Sequence, residues 1–459
     1  MRPSPGGGRL RARAGTWLAP LVLLLVSAVA APAAALPATT GPGTGPAAGP
    51  APAGSVTPPG RSAVWSASLQ GMHGTSPDLT VRNIARASVS ATSLRVRIGN
   101  PYGDRPATFR SATIGLQHRV GEADLVPGSL RTLTFQGRPR VTVPPGGHVY
   151  SDPVALRVSA QRNLAISLYA PDAPVNDQTF PPPTPNPPAS FLSLGGDHTR
   201  DTGDAAYPEE DKGLSAEPGY HPGQLWWVEV VDGRTPAAGT IVALGDSNTA
   251  GHDAVGGGDR WTDLLAQRIN ALPPHRQLAV ANAGISGNTV SRQPNPYDPT
   301  GHCCGPPAPD RLEYDVFDLA GARHVILLEG TNDLGGGEFA PPAPASQVID
   351  AMREIVQRAH ARGLKVVGAT LMPMCNPAGS AKETNRLAVN EFVRTGGLFD
   401  GVVDFDAAVR DPDDPTRFRD VYHSDCYHPN AAGHAALADA IDLGLFGLDD
   451  RKSREGRAA

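Results

Sequence analysis

From Val64 to Ala170 the chain alternates apolar and polar positions with a period of two. The segments 79–90 (LTVRNIARASVS), 93–100 (SLRVRIGN), 112–120 (ATIGLQHRV), 129–135 (SLRTLTF), 140–147 (RVTVPPGG) and 164–171 (LAISLYAP) are short, rich in β-branched residues and divided by turn-forming NPYGD, QGRP and PPGG. No helical period competes, so this stretch predicts an all-β sandwich of roughly seven or eight strands. Residues 171–223 are Pro-rich and irregular, and 224–233 (QLWWVEVVDG) read as one more strand, which either returns to the β region or opens the next one.

The rhythm changes at Thr240. Apolar runs at 240–246, 278–284, 324–330, 364–373 and 401–406 alternate with amphipathic helical stretches at 260–272, 346–363, 380–397 and 430–444. Strands alternating with helices predict an α/β fold with a parallel sheet covered on both faces. In such sheets ligands bind beyond the carboxyl ends of the strands.

Composition alters this picture mainly at the ends of the chain. Of 459 residues 52 are Gly and 47 Pro, and residues 36–60 form a Pro/Gly/Ala/Thr linker too poor in large apolar side chains to offset ordering entropy. Before it, Arg2, Arg9, Arg11 and Arg13 precede an apolar run, 17–30, and the small residues Ala33, Ala34 and Ala35. That order is the pattern of an export signal, and the run is short for a membrane span of about 20 residues. The expected layout is a signal peptide (1–35), the linker (36–60), the β region (61–235), the α/β region (236–449) and a charged tail (450–459), in a secreted protein without stable membrane insertion. Net charge is −5 and no basic block follows the first residues, so no nucleic-acid partner is expected.

Four cysteines, Cys303, Cys304, Cys375 and Cys426, suit an oxidising compartment. A bond between adjacent cysteines is geometrically strained, so Cys303 and Cys304 are each expected to bridge to Cys375 or Cys426. No CxxC pair is present and no metal or organic cofactor is expected.

Four motifs fall at strand ends or loops of the α/β region. GDSN (245–248) follows the first strand and puts Ser247 on a strand-to-helix turn, where its N–H can face a developing oxyanion. NAGISGNT (282–289) follows the second strand, and Gly287 offers an N–H with no side chain in the way, or simply a tight turn. GTND (330–333) follows the third strand, where the Asn332 amide can donate to an oxyanion or cap a turn. DCYHP (425–429) precedes the last helix, and Asp425, three residues before His428, can orient that imidazole as a general base. His423 and Asp420 are nearby competitors. Each motif is weak alone; together, in one order, they are specific.

This set, GDS, then SGN, GxND and DxxHP, resembles the SGNH (GDSL-type) hydrolase superfamily over roughly 240–448. The resemblance implies a flavodoxin-like three-layer α/β/α fold, Ser247 as nucleophile, Ser247, Gly287 and Asn332 as oxyanion-hole donors, His428 as base and Asp425 as its partner. The fourth motif residue, Asn248, departs from the usual Leu or Ile, and no GxSxG elbow is present. The β region also looks like the N-terminal part of some exported bacterial relatives of xylan-degrading esterases. The expected activity is ester hydrolysis through an acyl-enzyme on a small-molecule or polysaccharide ester, deacetylating carbohydrate or cleaving short-chain esters, with a lipase or acyltransferase using the same triad, or a non-catalytic glycan-binding protein, as alternatives. Trp65, Trp226 and Trp227 are candidate stacking residues, with core packing the simpler role. Specificity is expected to reside in loops 251–260, 292–311 and 335–345.

Overall fold

The computed structural model describes residues 60–76, 78–178, 190–210, 225–254, 258–298 and 304–448. The expected signal peptide, all but the last residue of the linker, the charged tail and Cys303 lie outside them.

The β region builds two main antiparallel sheets. In the first, the order is Arg61–Ser66, Val228–Arg234, Thr92–Asn100 and Gly147–Tyr150. In the second it is Glu209–Glu210, Ser190–Leu194, Leu79–Arg86, Asn163–Ala170, Ser111–Leu116 and Arg131–Thr132. A single apolar core joins them, with Val64, Val96 and Ile98 from one sheet meeting Leu79, Val81 and Ile166 from the other. The tract 224–233 therefore returns to the β region, since its strand pairs with the first and fourth segments of the chain's β structure. Trp65, Trp226 and Trp227 are all buried in this core, and Trp227 Nε1 donates to the Pro174 carbonyl at 2.8 Å, so packing is their role.

Two expectations are corrected here. The strands outnumber the expected seven or eight, because pieces as short as Ala107–Phe109 and Gly71–Thr75 carry too few residues to show a period. The stretch read as irregular holds the strands Pro174–Gln178, Ser190–Leu194 and Glu209–Glu210. Residues 199–207 of the same stretch cover the outer face of the second sheet. Arg82, fully buried, crosses that face, donating to Ala123 O and Asp201 O at 2.6 Å each, with the Tyr207 ring stacked at 4.0 Å.

The α/β region forms a five-stranded parallel sheet in the order Ala279–Gly284, Thr240–Gly245, Ala322–Leu328, Lys365–Ala369, Gly401–Val403. In chain order this is 2-1-3-4-5, the flavodoxin-like arrangement. The helices Trp261–Asn270 and Ala431–Ala440 pack together, as do Ala345–Ala361 and Ala381–Thr395. Right-handed crossovers running in opposite directions from the first strand put these pairs on opposite faces. Ser380 caps the fourth-strand helix by accepting from Glu383 N, a Ser-x-x-Glu start written in the sequence.

The β region is bonded directly to this sheet. Ala63 N donates to Ala320 O at 2.9 Å, Ser66 Oγ to Asn282 O at 2.9 Å, and Gln178 Nε2 to Gly284 O at 2.8 Å. The last two acceptors belong to the second parallel strand, Gly284 being its final residue, so the β region braces one wall of the crevice where the strand order reverses.

Candidate active site

Parallel register places Gly245 beside both Gly284 and Leu328. The three loops that follow these residues therefore begin at one level, next to one another. Gly245 must be glycine, because a Cβ there would meet Thr249 Oγ1 at 2.1 Å and Leu328 O at 2.7 Å. The next residue, Asp246, accepts from Asn248 N at 2.9 Å and starts the one-turn helix Ser247–Ala250.

Ser247 lies at the first position of that turn, nearly buried, with Oγ 3.0 Å from His428 Nε2. His428 Nδ1 lies 2.8 Å from Asp425 Oδ2. With Nδ1 protonated toward the carboxylate, Nε2 accepts the serine O–H. The other carboxylate oxygen of Asp425 accepts from the amides of Tyr427 at 2.6 Å and His428 at 2.7 Å, closing a tight turn around the pair. Burial works to raise the Asp425 pKa, but the hydrogen bonds from the imidazole and these amides outweigh it and hold the carboxyl well below the ordinary range. His423 stands apart, 3.9 Å from Asp420 and without a bond to Ser247.

The oxyanion candidates come from the neighbouring strand ends. Gly287 has φ +74°, and a Cβ there would lie 2.6 Å from Cys304 Sγ, so glycine is required both by conformation and by contact. Among the described residues the N–H groups of Ser247 and Gly287 have no hydrogen-bond partner. Asn332 Nδ2 donates to Asn288 O at 2.7 Å, which orients the amide and leaves its second N–H for a ligand. Asp333 of the same motif is structural, accepting from Val290 N at 3.0 Å and Ser291 N at 2.8 Å, and so ties the third loop to the second.

Arg311 was not singled out by its sequence context, where it reads as one more charged residue in PAPDRLEYD. It is buried beneath the site. Its guanidinium donates to Gly245 O at 3.0 Å, Ala283 O at 2.7 Å, Asn288 Oδ1 at 3.0 Å, Asp315 at 2.9 Å and Glu329 at 3.3 Å. One side chain thus binds the ends of all three strands that carry Ser247, Gly287 and Asn332. Burial pushes the Glu329 carboxyl well up, with the neighbouring Asp246 adding to it and Arg311 opposing.

His252 was also missed. Its N–H donates to Ser247 O at 3.0 Å, and its ring lies flat on His428, with centroids 3.7 Å apart and planes 10° apart. The His252 carbonyl accepts from His434 Nε2 at 3.0 Å. Ser424 Oγ donates to Asp253, while Ser424 N donates to His428 O at 3.2 Å. The turn after Ser247 therefore carries a shelf against which the imidazole rests. One ligand atom each from His252, Asp253 and His428 lies within 4.8 Å of the others. They make a poor metal centre, since stacked rings aim their lone pairs side by side and both His428 nitrogens are engaged with Ser247 and Asp425.

The cysteine expectation is overturned. Cys375 bonds to Cys426, with Cα atoms 5.3 Å apart, so neither is available to Cys303 or Cys304. Cys304 is itself disulfide-bonded, to a partner outside the described residues. The chain fold brings the end of the fourth strand's loop to the His428 loop, a proximity no spacing rule encodes. Cys426 lies next to Asp425, so the bond anchors the turn that holds His428.

Residues 243–436 match the model of the GDSL-like Lipase/Acylhydrolase family, and the α/β region is a domain of that kind. Similar solved structures include an acetylxylan esterase from Geobacillus stearothermophilus, 20% identical over 46% of this chain and 96% of that one, with a TM-score of 0.34. A member of the G-D-S-L lipolytic family from Veillonella parvula is 20% identical over 45% of this chain and 98% of that one, with a TM-score of 0.32. No curated protein sequence matches this chain.

Proposed function

We propose that the protein is a secreted serine hydrolase that cleaves carboxylic esters through an acyl-enzyme, with acetylated carbohydrate as its substrate class. The observation that carries the reading is the unbroken hydrogen-bond chain Ser247–His428–Asp425 beside N–H groups of Ser247 and Gly287 that are unpaired among the described residues. His428 Nε2 takes the serine proton as Oγ adds to the ester carbonyl. The resulting oxyanion accepts from the Ser247 and Gly287 amides and the free N–H of Asn332. The tetrahedral intermediate collapses, the C–O bond to the alcohol breaks, and His428 returns the proton to the leaving oxygen. Water then repeats the addition, with His428 again as base, and releases the acid and free Ser247. Asp425, held ionised by its hydrogen bonds, stabilises the imidazolium in both halves.

Export rests on the N-terminal signal pattern and is supported by a disulfide beside the site, which suits an oxidising compartment. N-terminal sequencing of protein recovered from the medium of a secreting host should begin close to residue 36; an intact Met1 on cell-bound protein would remove this part. The chemistry is tested with p-nitrophenyl acetate and a fluorophosphonate probe. Wild type turns over and gains one probe adduct on Ser247; Ser247→Ala loses at least about 10⁴-fold in rate and takes no label. Equal rates for the two proteins would sink the reading.

A further inference from the structure

Two large aromatic side chains stand open beside the site: Tyr297 is 48% exposed and Tyr427 is 39% exposed. Tyr297 leans over Gly287, since a Cβ on that glycine would lie 3.5 Å from Tyr297 Cδ2. Tyr427 directly precedes His428, and their ring centroids are 6.5 Å apart. The rings therefore adjoin the oxyanion side and the base side of Ser247, respectively.

Both are presented by fixed backbone. Asn295 Oδ1 accepts from Tyr297 N at 2.9 Å and from Asp298 N at 3.3 Å, while its Nδ2 donates to Gly287 O at 3.0 Å. Pro296 O accepts from Phe339 N at 3.1 Å, tying the same turn to the loop 335–345. On the other side, Tyr427 N donates to Asp425, and the preceding Cys426 is bonded to Cys375. An exposed tyrosine on a locked turn offers a planar apolar face at low entropic cost. A phenol hydroxyl at the end of each ring adds a hydrogen-bond donor and acceptor beside the apolar face.

The surroundings decide what fits such rings. Exposed Ser424 and Asp425 precede Tyr427 in the chain and Asp298 follows Tyr297, so polar groups stand next to each ring, while Phe339, 50% exposed, is tied to the Tyr297 turn through Pro296 O. A fatty acyl chain needs continuous apolar surface. A pyranose has flat C–H faces for stacking and hydroxyl edges for the rim. We propose that Tyr297 and Tyr427 are the specificity-determining walls of a sugar-ring site, which holds the alcohol side of a carbohydrate ester while its acyl carbonyl lies at Ser247. This deepens the ester-hydrolase reading and rests on it.

The test compares an acetylated xylo-oligosaccharide with ethyl acetate, which carries the same acyl group on an alcohol without a ring. Tyr297→Ala and Tyr427→Ala should each lower the ratio of kcat/KM for the sugar ester to that for ethyl acetate by about tenfold, through KM. The Phe variants, which keep the ring, should hold the ratio within about threefold of wild type. A ratio unchanged in both Ala variants overturns the proposal, as does a selective loss on long-chain p-nitrophenyl esters instead. Circular dichroism of each variant separates a folding defect from a binding one. Wild-type protein inert on both esters would fail the hydrolase reading itself, an outcome distinct from an unchanged ratio in an active enzyme.

Discussion

Ser247, Gly287 and Asn332 stand at the ends of three adjacent strands, whereas Asp425 and His428 stand on a loop beyond the last strand of the sheet. The first group is fixed from below. Parallel register aligns its strands, and Arg311 binds each strand end while buried among carboxylates. The second is fixed from the side. A disulfide, a stacked imidazole and a serine hydroxyl hold a partly exposed turn in place. Where the sheet supplies position, hydrogen bonds to the main chain suffice. Where it does not, covalent and side-chain ties replace it, and these respond to redox state and pH.

The largest effect expected from breaking this contrast is at Arg311. Arg311→Ala leaves Glu329 without its cation and three strand ends without a common donor, and should cost about 3–5 kcal/mol of stability. Urea unfolding measures this, and activity at low temperature should fall with it. A variant as stable and active as wild type would show that register alone holds the floor of the site.

Next is the Cys375–Cys426 bond. Its removal by Cys375→Ala with Cys426→Ala should lower kcat by about tenfold or more, because the Asp425–His428 turn gains freedom and catalysis depends on near-attack geometry. The mid-temperature of unfolding should fall less steeply than activity. Full activity in the double variant would mean that the remaining ties are enough.

His252 sharpens the same point. Its ring is in face-to-face contact with His428, so His252→Ala should reduce kcat by about tenfold with little change in KM, and His252→Phe, which keeps a flat ring, should recover most of it. If Phe is no better than Ala, polarity and not stacking is what matters.

The smallest effect concerns acid. Burial drops the His434 pKa to about 4 from an ordinary 6.5. Its neutral form donates from Nε2 to His252 O and accepts at Nδ1 from Trp261 N, with Arg260, Asp263 and Asp253 nearby. The unfolded chain takes up a proton below its ordinary value while the folded chain resists to about 4, so this contribution is complete above 6.5 and is lost as pH falls toward 4. Thermal unfolding followed from pH 8 to 4 should show a slope that His434→Gln flattens; equal slopes would assign acid sensitivity elsewhere.

The strand-side half of the site was legible because its motifs are local. Each glycine, serine or asparagine follows a recognisable apolar run, and a parallel sheet puts those runs side by side. The Asp425–His428 pair was legible as a spacing of three. Arg311 and His252 were not, because their importance comes from what surrounds them in space. The cysteine pairing was misread for the same reason, since strain arguments can disfavour one bond without locating the partner. Among the described residues the irregular tract hid three strands, because they are short and the sheet they join lies far away in sequence, as in Ser190–Leu194 beside Leu79–Arg86.

Alone, the amino-acid sequence determined the order of β and α/β regions, a parallel sheet covered on both faces, and the motifs that carry Ser247, Gly287, Asn332, Asp425 and His428; the flavodoxin-like arrangement was implied by the family resemblance of those motifs. These follow from periodicity and from chemistry carried within a few residues. Tertiary structure alone decided that the β region braces the second strand, that Cys375 meets Cys426, that one arginine underpins three loops, and that a second imidazole backs the first. Each of these depends on contacts between residues tens to hundreds of positions apart, where only the packed chain, with its excluded volume and buried charges, sets the distance.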